Sequence, residues 1–225
     1  MVLTHNNMNY AHCHNICASF ARTARDCARS FWLLLALLAP SISASAQPWG
    51  KPDAPVTLMV FSSFTCPYCA ESKKQIDQVK AKYPNDLRIV FKHFPLSDSA
   101  EARRPHLIAA AAQAQGKLWE AHDKIFDRLS ATTDIELIGA VAASNPLIDA
   151  SKLRTALADG TAAQLLINDA ADAQALKVRA TPTFFIDGLR LEGVQDIATF
   201  ERLIEFKRGP QSQSPPEKAA SSPLK

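Results

Sequence analysis

The feature that most constrains this chain is an almost unbroken apolar run, Val56 to Phe61, separated by only four residues from Cys66-Pro67-Tyr68-Cys69. A run rich in β-branched and aromatic residues, without alternation, suits a central strand covered on both faces. From Pro67 to Tyr83 the apolar positions Cys69, Ile76, Val79 and Tyr83 fall at helical spacing, with Lys73, Lys74, Asp77 and Lys80 on the other side. Pro67 fits the first helical turn, where its missing N–H costs nothing. The sequence therefore predicts a strand, a turn and a helix with a cysteine at the helix entrance.

The rest of the chain extends this unit into an α/β protein with a mixed sheet. Leu87 to Phe94 reads as a second strand stopped by Pro95, and two strands flanking a crossover helix imply a parallel pair. From about residue 98 to 176 the pattern is helical. An alanine-rich segment runs from Leu107 to Gln115, and a stripe follows at Leu118, His122, Ile125, Phe126 and Leu129. Further stretches cover Ile135 to Ala143, Ser151 to Ala158 and Thr161 to Leu176, punctuated by Asn145-Pro146 and Asp159-Gly160. Thr183 to Ile186, Asp187-Gly188 and Leu189 to Leu191 then read as a hairpin of antiparallel edge strands. A closing helix from Asp196 to Phe206 turns Ile197, Phe200, Leu203 and Ile204 inward. The expected organisation is a domain over 47–208, with a helical insertion over about 98–176, and a disordered tail over 209–225 dominated by Pro, Ser, Gln and Lys.

Residues 1–46 read as a leader. Arg22, Arg25 and Arg29 precede an apolar run from Phe31 to Ala39, and Ala44-Ser45-Ala46 offers the small-residue pattern of a signal-peptidase site, with cleavage expected after Ala46. That run is too short for the ~20 apolar residues a membrane crossing needs. Without the leader the chain carries 22 basic and 21 acidic residues, so neither nucleic-acid binding nor strong steering of acidic partners is expected. Cys13, Cys17 and Cys27 lie in the leader, leaving Cys66 and Cys69 as the cysteines of the mature chain. His12, Cys13, His14 and Cys17 look like metal ligands, but a removed leader offers no rigid site.

At a helix entrance, unpaired N–H groups and the positive end of the dipole stabilise a thiolate at Cys66, below the ordinary value of about 8.5. Cys66 can then attack, or be attacked, while Cys69 resolves the mixed disulfide. Two other readings compete. A zinc site would need His93, His106 or His122 to join the pair. A purely structural disulfide would close so short a loop that it stabilises little. His122, on an apolar stripe, reads as a core histidine, and His93, ending a strand, as a packing residue. Thr181-Pro182 sits where a strand begins. A cis bond there costs only about 0.5–1 kcal/mol, although a trans proline starting a strand is the commoner case.

Three segments together resemble DsbA-family periplasmic thioredoxin-fold proteins: Phe61-Ser-Ser-Phe-Thr-Cys-Pro-Tyr-Cys69, Val90-Phe-Lys-His-Phe-Pro-Leu96 and Ala180-Thr-Pro-Thr-Phe-Phe-Ile-Asp-Gly188. The resemblance covers roughly residues 52–207. It implies a thioredoxin fold with an inserted helical domain, Cys66 as nucleophile, Cys69 as resolving thiol, and Pro182 as a cis-proline facing them. Thr181 would pair its backbone with the substrate chain. Unfolded or partly folded secreted proteins are the implied substrates, a membrane partner resets the dithiol, and no cofactor is implied beyond the cysteines. Departures mark this chain off from the best-known oxidase of the family. Tyr68 in the dipeptide and Thr181 before the proline are similar to reductase and isomerase branches and imply a milder couple. Val60 replaces a buried glutamate, which would leave Lys92, alone or through water, to move protons at the buried thiol. The isomerases are dimers built on an extra N-terminal domain, and about nine residues precede the first strand here, so a monomeric oxidase or reductase is expected.

Overall fold

The structure, a computed structural model, describes residues 47–128 and 133–209. The leader read in residues 1–46 and the tail beyond Gly209 lie outside the described residues, as does Leu129 at the end of the predicted stripe.

The apolar run forms β1 (Val56–Ser62), with a strand on each side of it. After the crossover helix α1 (Pro67–Lys82), β2 (Leu87–His93) pairs with β1 in parallel, with Val60 opposite Phe91 and Phe61 opposite Lys92. On the other side β3 (Thr183–Ile186) pairs with β1 antiparallel, and β4 (Leu189–Glu192) pairs with β3, giving the order β2-β1-β3-β4. The hairpin thus contributes one edge strand rather than two. Phe184 and Ile186 of β3 are fully buried, while every residue of β4 retains some exposure. The turn between them places Asp187 and Gly188 at φ 44° and 87°, the left-handed pair that a two-residue hairpin requires.

Alternation along β1 divides the interior. Val56, Leu58 and Val60 join Ile76 and Val79 of α1 and Phe200 and Ile204 of the closing helix α7 (Ile197–Arg208). Phe61 points the other way, into a second cluster with Ala173 and Val178. Full burial of such side chains is worth about 1.5–3 kcal/mol each, so this one strand holds both layers.

The insertion comprises α2 (Ala100–Gln113), α3 (Leu118–Asp127), α4 (Asp134–Ser144), α5 (Ala150–Ala158) and α6 (Thr161–Ala175). Side-chain caps start three of them: Ser99 accepts from Ala102 N–H, Thr133 and Glu136 form a capping box, and Asp149 accepts from Ser151 and Lys152 N–H. Helices α2, α3 and α6 tie the insertion to the sheet, α3 through Trp119 and His122 against Phe91 of β2. Ala109 to Ala112 of α2 are fully buried in the main core, and α6 lays Ala173 against Phe61. Asp169 of α6 adds a polar latch, accepting from the His93 backbone N–H at 2.8 Å and from Lys92 Nζ at 2.9 Å. Among the described residues no helix is long and apolar enough to cross a membrane.

Candidate functional site at the entrance of helix α1

Cys66 is itself the N-cap of α1, with extended backbone (φ −92°, ψ 119°), and Pro67 opens the helix. No side chain caps the first turn and no acidic residue stands in it, while Lys80 and Lys82 occupy the last turn. The dipole is thus complemented at its far end and left open at the cysteine. Cys69 N–H and Ala70 N–H donate to the Cys66 carbonyl at 3.0 and 3.2 Å, which fixes the tight turn between the two sulfurs.

The sheet brings the second part of the site to this entrance. The Thr181–Pro182 peptide is cis, and the Cys66 thiol donates to the Thr181 carbonyl at 3.5 Å. The Pro182 carbonyl accepts from Gly193 N–H and the Thr183 hydroxyl donates to the Ala180 carbonyl, both at 2.8 Å, so the loop is held from both ends. The buried Thr181 hydroxyl makes no hydrogen bond of good geometry, yet it lies close enough to both sulfurs to favour their anions. Cys66, Cys69, Thr181 and Pro182 therefore converge. Tyr68 points outward and is 62% exposed, leaving an aromatic surface beside the pair.

Both thiols are free and buried, but their environments differ. Burial pushes the Cys66 thiol up, and the Thr181 hydroxyl, the Cys69 backbone and thiol, and the Tyr68 backbone outweigh it, so Cys66 lies below its ordinary value. At Cys69 burial wins. Its thiol lies above the ordinary value, against the Ser62 hydroxyl, Ser63 N–H and Thr181 hydroxyl, and the Cys66 charge pushes it further up. One exchange-ready sulfur at the mouth and one protected sulfur behind it suit attack, mixed disulfide and resolution.

Lys92 does not serve the buried thiol as the sequence suggested. Its ammonium bonds Asp169 and Asp172 at 2.9 and 2.6 Å, because in register with Phe61 it leaves β2 on the face opposite Val60. The histidines named for a zinc site gather around Phe64, with ring centroids 4.8 Å (His106), 5.8 Å (His122) and 6.4 Å (His93) away. Among the described residues no group of three or more His, Cys, Asp and Glu side chains is placed to hold a metal ion. Sequence reasoning gave no weight to Ser63, whose N–H donates to Cys69 Sγ at 3.4 Å, nor to its contact with His106. No spacing rule links residues 63 and 106; the link exists only once α2 packs beside the β1–α1 loop.

Similar solved structures include the oxidised BdbD of Bacillus subtilis, with a TM-score of 0.64 and 22% identity over 75% of this chain and 95% of that one. The alpha-DsbA1 of Wolbachia pipientis aligns with a TM-score of 0.62 at 21% identity, covering 72% of this chain and 90% of that one. The catalytic domain of Proteus mirabilis ScsC aligns with a TM-score of 0.61 at 19% identity, over 75% and 92%. At these identities the likeness is one of fold, and the fold is thioredoxin-like. Among curated proteins, the Na(+)/H(+) antiporter NhaA 1 of Mycolicibacterium gilvum is 32% identical over 180 residues, 78% of this chain and 28% of that protein. The NhaA antiporter of Herminiimonas arsenicoxydans is 33% identical over 173 residues, 74% and 26%. The chain spans about a quarter of the length of these curated relatives. The thioredoxin family profile matches residues 45–206, which include β1, the cysteine pair, the helical insertion and the cis-proline hairpin, and the chain belongs to the thioredoxin family.

Proposed function

We propose that the protein is an exported thiol-disulfide oxidoreductase that transfers its Cys66–Cys69 disulfide to cysteines of secreted proteins. The observation that carries this reading is the convergence of two free cysteines, at a helix entrance with no side-chain cap, on the Thr181–Pro182 loop, with the Cys66 thiol donating to the Thr181 carbonyl at 3.5 Å and Cys69 Sγ accepting from Ser63 N–H at 3.4 Å. In the oxidising direction a substrate thiolate attacks Cys66 Sγ, the Cys66–Cys69 bond breaks, and Cys69 leaves and takes up a proton. A second substrate thiolate then attacks the substrate sulfur of the mixed disulfide and expels Cys66 as a thiolate. Two electrons pass from substrate to enzyme, and a new substrate disulfide forms. Stabilising the Cys66 thiolate stabilises the reduced enzyme, and this favours the oxidising sense.

The cis-proline loop supports the same reading, since the Thr181 carbonyl beside Cys66 is available to order an extended substrate chain. Tyr68 offers that chain an aromatic surface. We assign the leader to export into the periplasm and a membrane redox partner to reoxidation of the dithiol, with the protein acting as a monomer. The runner-up is a reductase kept in the dithiol state, the sense that Tyr68 in the dipeptide and Thr181 before the proline carry in the family resemblance. The purified protein is expected to oxidise reduced, unfolded ribonuclease. Failure both to do so and to reduce insulin would refute the reading. An equilibrium potential against glutathione near −270 mV, a value of about the thioredoxin range, would assign the reductase direction instead.

A further inference from the structure

We propose that Ser63, held in place by the buried imidazole pair His106 and His93, positions the hydrogen-bond donor of Cys69 and so sets how readily that sulfur leaves or attacks. The inference rests on reading the cysteine pair as redox-active, and it gives a role to buried groups that this chemistry does not otherwise use.

The contacts link Cys69 to His93 through Ser63 and His106. Ser63 N–H donates to Cys69 Sγ at 3.4 Å. Thr65 N–H donates to Ser63 Oγ at 3.4 Å, with the Thr65 hydroxyl 3.1 Å away, so the hydrogen of the Ser63 hydroxyl is available to His106 Nε2 at 3.4 Å. When the Ser63 hydroxyl donates there, that nitrogen carries a lone pair and the His106 proton is on Nδ1. His106 Nδ1 lies 3.2 Å from His93 Nδ1, a contact that has room for a single proton. The His93 proton consequently sits on Nε2, on the side where Gln113 acts on the ring, and Gln113 Oε1 is likewise a buried acceptor without a hydrogen bond of good geometry. In this arrangement every donor from Thr65 to the His106 Nδ1–H has an acceptor, the His93 Nε2–H faces Gln113 without a hydrogen bond of good geometry, and reversing one imidazole alone would break the chain.

The surroundings keep the chain neutral and rigid. Ser63, His93 and His106 have at most 1% exposure, and Phe64 packs over the His106 ring. Burial holds both imidazoles in their neutral forms. The charged and titratable groups facing the chain are Cys66 toward Cys69, Arg103 toward His106, and Lys92 and His122 toward His93. Val60 of β1 offers no polar atom, and Lys92 is spent on Asp169 and Asp172. Ser63 is therefore the donor on Cys69 that has a buried support of its own, and loosening that support weakens the hydrogen bond the departing thiolate receives.

The test follows the Cys69 thiol in the reduced full-length chain by pH titration of 13C-labelled cysteines, in the natural protein, in His106→Phe and in His106→Gln. Phenylalanine fills the space without an acceptor, whereas the glutamine amide oxygen takes the place of Nε2. His106→Phe is expected to raise the Cys69 titration by about one pH unit and His106→Gln to restore it. The rate at which Cys69 resolves a mixed disulfide on Cys66 should fall about threefold at pH 7 in His106→Phe, the tenfold loss of thiolate being partly offset by the greater nucleophilicity of the more basic sulfur, and should match or exceed the natural rate once Cys69 ionises unaided. Adding Ser63→Ala to His106→Phe should cost nothing more, because both act through one chain. A Cys69 titration that does not move in His106→Phe overturns the proposal. So does a rate deficit that persists at high pH, the sign of damaged packing. If the titration moves but the natural protein forms no mixed disulfide, the positioning stands and the oxidoreductase reading falls.

Discussion

The mouth of α1 and the polar interior behind it are built from neighbouring residues yet treat sulfur in opposite ways. At the mouth, Cys66 meets uncapped N–H groups, the Thr181 carbonyl and solvent-facing Tyr68. Behind it, Cys69 meets the Ser62 hydroxyl and the Ser63 N–H, and Ser63 in turn rests on the buried neutral imidazoles of His106 and His93. The contrast teaches that the cysteine spacing supplies the pair, while burial and hydrogen-bond direction assign the roles.

Four experiments would break or sharpen this comparison. The largest effect is expected at the mouth. Cys66→Ala should abolish exchange, whereas Cys69→Ala should still accept substrate and accumulate mixed disulfides on Cys66, visible on a non-reducing gel. Equal loss of adducts in both variants would erase the distinction between the two regions.

The interior should answer in stability rather than in chemistry. Asp169 is a mostly buried carboxylate that holds both the Lys92 ammonium and the His93 N–H. Asp169→Ala removes the acceptor of the His93 N–H and one of the two carboxylates on Lys92, which keeps Asp172, and should cost about 1–3 kcal/mol in denaturant unfolding. A loss under 1 kcal/mol would mean that α6 is held to β2 by its apolar contacts alone.

Acid should reach the same interior. Burial lowers His93 from 6.5 to about 3, so the unfolded chain binds its proton first. This stability is present in full above pH 6.5 and is lost progressively as pH falls towards 3, a loss from this one residue on the order of 3 kcal/mol by pH 4. His106 and His122, also lowered by burial, act in the same direction. Unfolding midpoints measured from pH 7 to 4 should fall steadily, and less steeply in His93→Asn. An unchanged slope would remove His93 from the account.

The smallest effect belongs to the residue that touches both regions. Thr181→Val removes the hydroxyl that favours both thiolates. It should raise the Cys66 thiol and move the couple towards the reducing side, by roughly 30 mV for each tenfold loss of thiolate stability in a two-electron couple. Redox titration against glutathione reads this directly, and a shift towards the oxidising side would contradict the assigned role of the hydroxyl.

Much of the scaffold was legible because it rests on local pattern. The continuous apolar run fixed β1 as a covered central strand, the 3.6-residue spacing after Pro67 fixed α1, and Asp187-Gly188 fixed the hairpin turn. What escaped depended on which face a side chain takes. Lys92 was read as a partner of the buried thiol, but strand register turns it to the α6 side. His93 was read as a packing residue, and the next register position turns it towards His106. The hairpin was read as two edge strands, while burial of Phe184 and Ile186 draws β3 inside the sheet.

The sequence by itself determined the cysteine pair, its position at a helix entrance and the proline that begins β3, because each follows from residues within one turn or one strand of one another. Only the tertiary structure decided that Thr181 meets Cys66 across 115 residues, and that His106 stands behind Ser63 across 43. Those contacts come from sheet register and from helix packing on the sheet, which bring together groups that no local periodicity relates.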